Sequence, residues 1–83
     1  MTTQNKVFNE NLETLKGLGF NLNDSLNIIK RVNQHIDRCV ENNQNYDETL
    51  FYVKQDFTFD NNTMQNILIN AIIANSEYEQ YFK

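Results

Sequence analysis

The chain has no proline and only two glycines, Gly17 and Gly19, which stand two residues apart. Small β-barrels and sandwiches need many tight turns, and tight turns draw on glycine and proline. A sequence this poor in breakers builds long helices with few connections. With 83 residues it makes one domain, residues 1–83. A chain of this length buries roughly 60–65% of its unfolded surface, so the core is small.

Apolar side chains recur at helical spacing in four segments, which predicts an all-α fold: a compact bundle of about four helices. The first segment runs from about Gln4 to Lys16, with Phe8, Leu12 and Leu15 on one face. The second runs from about Leu22 to Glu41, with Leu22, Leu26, Ile29, Val32, Ile36 and Val40 in one stripe. Asn21 or Asn23 can cap its start, and with Asn21 as the cap Asp24 falls in the first turn, where a negative charge suits the helix dipole. It ends in "ENNQN", stop residues without a glycine. The third runs from about Tyr46 to Phe57. Asn45 followed by Glu48 resembles a capping box, and Tyr46, Leu50, Val53 and Phe57 repeat at helical spacing. Its rival is extended structure over residues 46–59, because "TLFYV" and "FTF" are rich in β-formers. Helix is preferred, since no glycine turn joins two strands there and a lone hairpin needs another partner. The fourth runs from about Thr63 to Phe82, capped by Asn62, with Met64, Ile67, Leu68, Ala71, Tyr78 and Phe82 on one face.

Both glycines therefore fall between two amphipathic helices. Gly17 fits the position where a left-handed residue ends a helix, with Leu18 folding back on Leu12. "GLGF" also spells the carboxylate-binding loop of PDZ domains, but that loop leads into a strand that pairs with a peptide, and here a helix follows. A phosphate-cradling loop needs a third glycine or a G-K-[ST] spacing, and neither is present. Ubiquitin-associated domains place a similar "GF" loop between their first two helices, a resemblance confined to this segment.

Few residues carry chemistry. The single His35 has Arg31 and Arg38 at i−4 and i+3, opposite the apolar stripe. They form either a solvated polar face or a small basic docking strip for an acidic segment, which protonation of His35 near pH 6 would strengthen. One histidine and one cysteine fall short of a four-ligand protein zinc site. Cys39 reads as a packed, semi-buried thiol, and a lone cysteine accords with a reducing compartment. The acidic pairs Asp47/Glu48 and Glu77/Glu79 read as helix ends in water. No nucleophile–base grouping is evident, so the expectation is a non-enzymatic protein without cofactor or metal.

The N-terminus lacks the apolar stretch of a signal peptide. The longest apolar run, Ile67 to Ala74, is interrupted by Asn70 and is far short of the ~20 residues that span a bilayer. The expected compartment is the cytoplasm. Formal charge is −4, and all of it lies in residues 42–83, which carry two bases and six acids. That half would repel a nucleic-acid backbone. The first two helices could act as a DNA-reading helix-turn-helix, but the reading turns, "NLNDSLN", hold an acid and no base. A small DNA-associated or transcriptional regulator is the alternative function.

Ile69 and Ile73 are the most informative residues. They lie one turn apart on the side of the fourth segment away from its main stripe. Either this helix is central and wrapped on both sides, or it leaves an apolar patch at the surface, and such patches mark interaction sites. Phe51 and Tyr52 fall off the Leu50/Val53 stripe and would widen the patch with aromatic anchors. The candidate partner-binding residues are thus Ile69, Ile73, Phe51, Tyr52, Arg31, His35 and Arg38. The partner is another protein, with a second copy of the chain as one possibility.

In length, in its asparagine-rich style, in the opening "NKVFNENLETLKGLGF" and in the lack of an export signal, the chain resembles the small early proteins of the T-even phages, and among them the cytoplasmic lysis-inhibition antiholins. No defining motif carries the resemblance, and no functional residue is transferred by it. It implies a non-enzymatic regulator that binds the cytoplasmic segment of a holin and delays lysis.

Overall fold

The structure, a computed structural model, describes residues 3–83. These residues form five helices and no strand: α1 (Thr3–Gly17), α2 (Leu22–Glu41), α3 (Tyr46–Asp56), α4 (Asn61–Ala74) and α5 (Ser76–Tyr81). The expected count of about four becomes five because the fourth segment breaks at Asn75. The Asn75 backbone is extended (φ −120°, ψ 108°), and its side chain accepts the Glu77 N–H at 3.0 Å. An asparagine amide offers the backbone an alternative to the helical ladder, so one residue ends α4 and starts α5.

The caps follow local chemistry. Asn21 caps α2, accepting the Asp24 N–H at 2.8 Å. Asn45 and Glu48 form a full reciprocal capping box at the start of α3. The α4 cap is Asp60 rather than Asn62. Its carboxylate accepts both the backbone N–H and the hydroxyl of Thr63, and it adds a charge that suits the helix N-terminus.

The first glycine is not the helix stop. Gly17 is helical, and Gly19 takes the left-handed position at φ +103°. Gly19 N–H bonds to Lys16 O at 3.1 Å and Phe20 N–H to Leu15 O at 3.2 Å. This is a Schellman end two residues later than expected, and its apolar contact is Phe20 against the core around Leu15, while Leu18 stands in solvent. The same device closes α2 without glycine: Asn43 has φ 56°, and Gln44 N–H bonds to Cys39 O at 2.9 Å.

Helix α3 ends at Asp56, and Phe57 continues in extended backbone (φ −131°, ψ 148°). The helical reading therefore holds to Asp56, and Phe57 and Phe59 leave the helix to become a joint. Phe57 stacks on Phe59 with ring centroids 5.7 Å apart, and Phe59 meets Phe20 edge-on at 5.9 Å. The α1–α2 and α3–α4 connections are held to each other by these rings.

The core joins Leu15, Ile28, Ile29, Val32, Ile36, Val53, Met64, Ile67, Leu68, Ala71, Ile72 and Tyr78. Helix α4 is its axis, packing most extensively on α1 and also touching α2, α3 and α5. The buried face of α2 is rotated from the expected stripe: Ser25, Ile28 and Cys39 are inside, and Leu22 and Leu26 are exposed. On α1, Asn11 is buried beside Leu15 at 1% exposure. Its amide donates to Ile67 O at 3.0 Å and its oxygen accepts from Asn70 Nδ2 at 3.1 Å. The asparagine that interrupts the apolar run of α4 is thus half of an interhelical amide pair. Tyr78 secures α5 to α2, its hydroxyl donating to the Asp37 carboxylate with Asn33 O at 3.3 Å. Burial first, and then the Asp37 carboxylate, push the Tyr78 phenol above its ordinary range.

These backbone and core positions set the expected outcome of three substitutions. Gly19→Ala should lower stability by about 1–2 kcal/mol, because a side chain is strained at positive φ. Gly17→Ala, helical and with open space around it, should be neutral or stabilising by up to about 0.5 kcal/mol. Asn11→Ala should cost about 1–3 kcal/mol by leaving the Asn70 amide without its buried acceptor. Denaturant midpoints at constant m-value check all three.

Candidate functional site

Two surfaces carry all but one of the residues singled out in the sequence, and they share no lining residue. The first lies where α4, α5 and the start of α3 meet. Ile69 is 41% exposed although α4 is the most enclosed helix of the fold. Ile73, one turn on, is half-buried. Together with Tyr46, Ile72 and Phe82 they line an open groove of about 340 Å³. The polar part of the rim is Glu79 and Lys83, paired at 3.3 Å. Both readings of α4 thus hold in part: the helix is central, and one isoleucine still faces water.

The second surface lies along α2 where it meets the end of α3. Arg31 Nη2 is 2.7 Å from Asp56 Oδ1, and His35 Nε2 is 3.1 Å from Asp56 Oδ2. A carboxylate only accepts, so His35 donates through Nε2. Residues 31 and 35 are one helical turn apart, and the last residue of α3 brings one carboxylate between them. The hydrogen bond from His35, and after it the charge and hydrogen bond of Arg31, hold the Asp56 carboxyl below its ordinary range despite some desolvation. The Arg31 guanidinium also lies over the Phe57 ring, 4.9 Å from its centroid. Beside this cluster a cavity of about 350 Å³ is lined by His35, Arg38 and Cys39 from α2, Gln44 from the loop, and Tyr52, Gln55 and Asp56 from α3.

The structure therefore brings His35, Arg38 and Tyr52 to one cavity, with Arg31 at its edge through Asp56, and Ile69 and Ile73 to another groove. Phe51 is 59% exposed and packs edge-on against Tyr52, with centroids 5.5 Å apart, and lines neither hollow. Cys39 is fully buried rather than semi-buried, at 3% exposure. Asp56, Gln44, Gln55, Tyr46 and Phe82 join these surfaces without having been singled out. Only for Asp56 is there a local hint: two donors at i, i+4 can share one acceptor. Among the described residues, no group of three or more His, Cys, Asp or Glu side chains is placed to hold a metal ion, and no helix is long and apolar enough to cross a membrane.

A carboxyl held below its ordinary 3.8 stabilises the fold above that value and loses this contribution as pH falls through the lower folded-state value. Urea midpoints should thus decline as pH is taken from about 5 to 2. Asp56→Asn should flatten part of that decline. Asp60, held down by Thr63, supplies another part in the same window, so the slope persists in reduced form.

Comparison with protein families, with curated proteins and with solved structures returns no match. The geometry of the two surfaces and the character of the sequence are what the functional reading rests on.

Proposed function

We propose that this chain is a small non-enzymatic regulator that acts in the cytoplasm by binding another protein through the α4–α5 groove. The observation that carries the reading is Ile69: a large aliphatic side chain left in water beside a half-buried Ile73, on the helix that otherwise forms the centre of the core. The groove continues over Ile72 and Phe82 and is rimmed by one ion pair. Helix-in-groove recognition uses such a surface, with apolar anchors of an amphipathic helix laid into the hollow. The resemblance to the T-even phage antiholins supplies the partner class, the short cytoplasmic segment of a holin, and makes the regulated event the timing of lysis.

Pull-down from the native host tests the reading. Ile69→Asp with Ile73→Asp should keep the helical circular-dichroism signal and weaken capture at least tenfold, a loss of about 1.4 kcal/mol. Ile69→Asp alone, at the more exposed site, separates binding from folding if the double variant is destabilised. A folded Ile69→Asp protein that captures the same partner undiminished overturns the proposal. Capture that is lost in both variants, with a partner other than a holin, keeps the binding role and removes the antiholin assignment.

A further inference from the structure

The outer face of α2 carries a second hollowed surface that shares no lining residue with the α4–α5 groove. Among the described residues, three hollows follow one another along it. The first, about 600 Å³, lies beside Phe20, Asp24 and Lys30. It shares Arg31 and Gln34 with a small hollow of about 80 Å³. That one shares His35, Arg38 and Asp56 with the 350 Å³ cavity next to Tyr52. The three form one trough along the helix.

Bases outnumber acids along the trough. Its bases are Lys30, Arg31, His35 and Arg38, and its acids are Asp24 and Asp56. Asp56 is engaged by Arg31 and His35. Lys30 and Arg38 are exposed and make no ion pair with any described residue. A chain of net charge −4 thus presents one face with two unspent cations against one unpaired acid, Asp24, at its far end. Eight residues separate them, which is ~12 Å along a helix axis. At one end of the trough the Tyr52 ring and the Cys39 side chain supply apolar wall, and Gln44 and Gln55 supply amides that donate and accept.

We propose that this trough binds a short acidic peptide segment of a partner protein. Carboxylates of the peptide meet Lys30 and Arg38, the latter by the paired N–H geometry that guanidinium offers a carboxylate. An aromatic or large aliphatic side chain of the peptide enters the cavity against Tyr52, a residue type that anchors interfaces. A nucleic acid is the poorer fit, because two free cations neutralise few phosphates and the rest of the molecule repels the polyanion.

The probe is a fluorescein-labelled dodecapeptide of Glu and Asp residues around one Trp and one Leu, titrated with the full chain and followed by anisotropy. Saturable binding at low salt should weaken as ionic strength rises. Lys30→Glu with Arg38→Glu, both exposed and unpaired, should keep the fold by circular dichroism and weaken binding by about tenfold or more. The same peptide with Gln and Asn in place of its acids should not bind. Ile69→Asp should bind the probe as the parent does, so failure here and failure of the α4–α5 reading are distinguishable. The proposal is overturned by absence of saturable binding at low salt, by equal binding of the charge-reversed variant or of the neutral peptide, or by a single-stranded oligonucleotide of equal charge binding more tightly than the peptide.

Discussion

The amide pair between Asn11 and Asn70, with the Ile67 carbonyl as a further acceptor, fixes how the first helix lies on the fourth. Apolar packing alone tolerates sliding, because one isoleucine replaces another with little change in energy. A buried amide does not. Shifting α1 by one turn, about 5.4 Å, would leave Asn11 in an apolar wall without partners, at a cost of about 1–3 kcal/mol. Because α4 touches every other helix, the register set at Asn11 is also the frame against which α2, α3 and α5 are placed. The position of Ile69 at the surface is a consequence of that frame. The turn that turns Ile67 and Leu68 inward turns Ile69 outward.

Asparagine does several different jobs here. Asn21, Asn45 and Asn75 use the side-chain oxygen to cap helices. Asn43 takes the left-handed backbone that elsewhere in the chain falls to Gly19. Asn11 and Asn70 work inside the interface. One residue type thus replaces much of the glycine and proline punctuation that the sequence lacks. This is possible because a short amide side chain satisfies backbone groups locally and tolerates positive φ.

The two surfaces differ in physical character, and the difference follows from the elements that build them. The α4–α5 groove is apolar because α4 has more aliphatic side chains than its neighbours can cover. The α2 trough is polar because it is the outward face of a helix whose other face is fully committed to the core. Asp56 links that trough to the fold. By occupying Arg31 and His35 it holds the end of α3 to the middle of α2 and leaves Lys30 and Arg38 as the unspent cations. The charge of the face therefore depends on a residue distant in sequence.

By itself the sequence determined the helical segments and the starts of α2 and α3. The apolar period, the Asn21 cap and the Asn45–Glu48 box are local, and a local stretch contains the whole of their physics. Tertiary structure decided what needs a second element. It chose Gly19 over Gly17, because the Schellman end is fixed where Phe20 reaches the core. It broke the last helix at Asn75, where Tyr78 can then bond to Asp37. It rotated α2 so that Ser25 and Cys39 are inside and Leu22 and Leu26 outside. It divided six of the seven candidate residues between two surfaces, left Phe51 at neither hollow, and brought in Asp56, Tyr46 and Phe82. Periodicity says that a face is apolar, but which of its side chains are covered depends on the neighbour that packs against it, and that neighbour is chosen by contacts far apart in the chain.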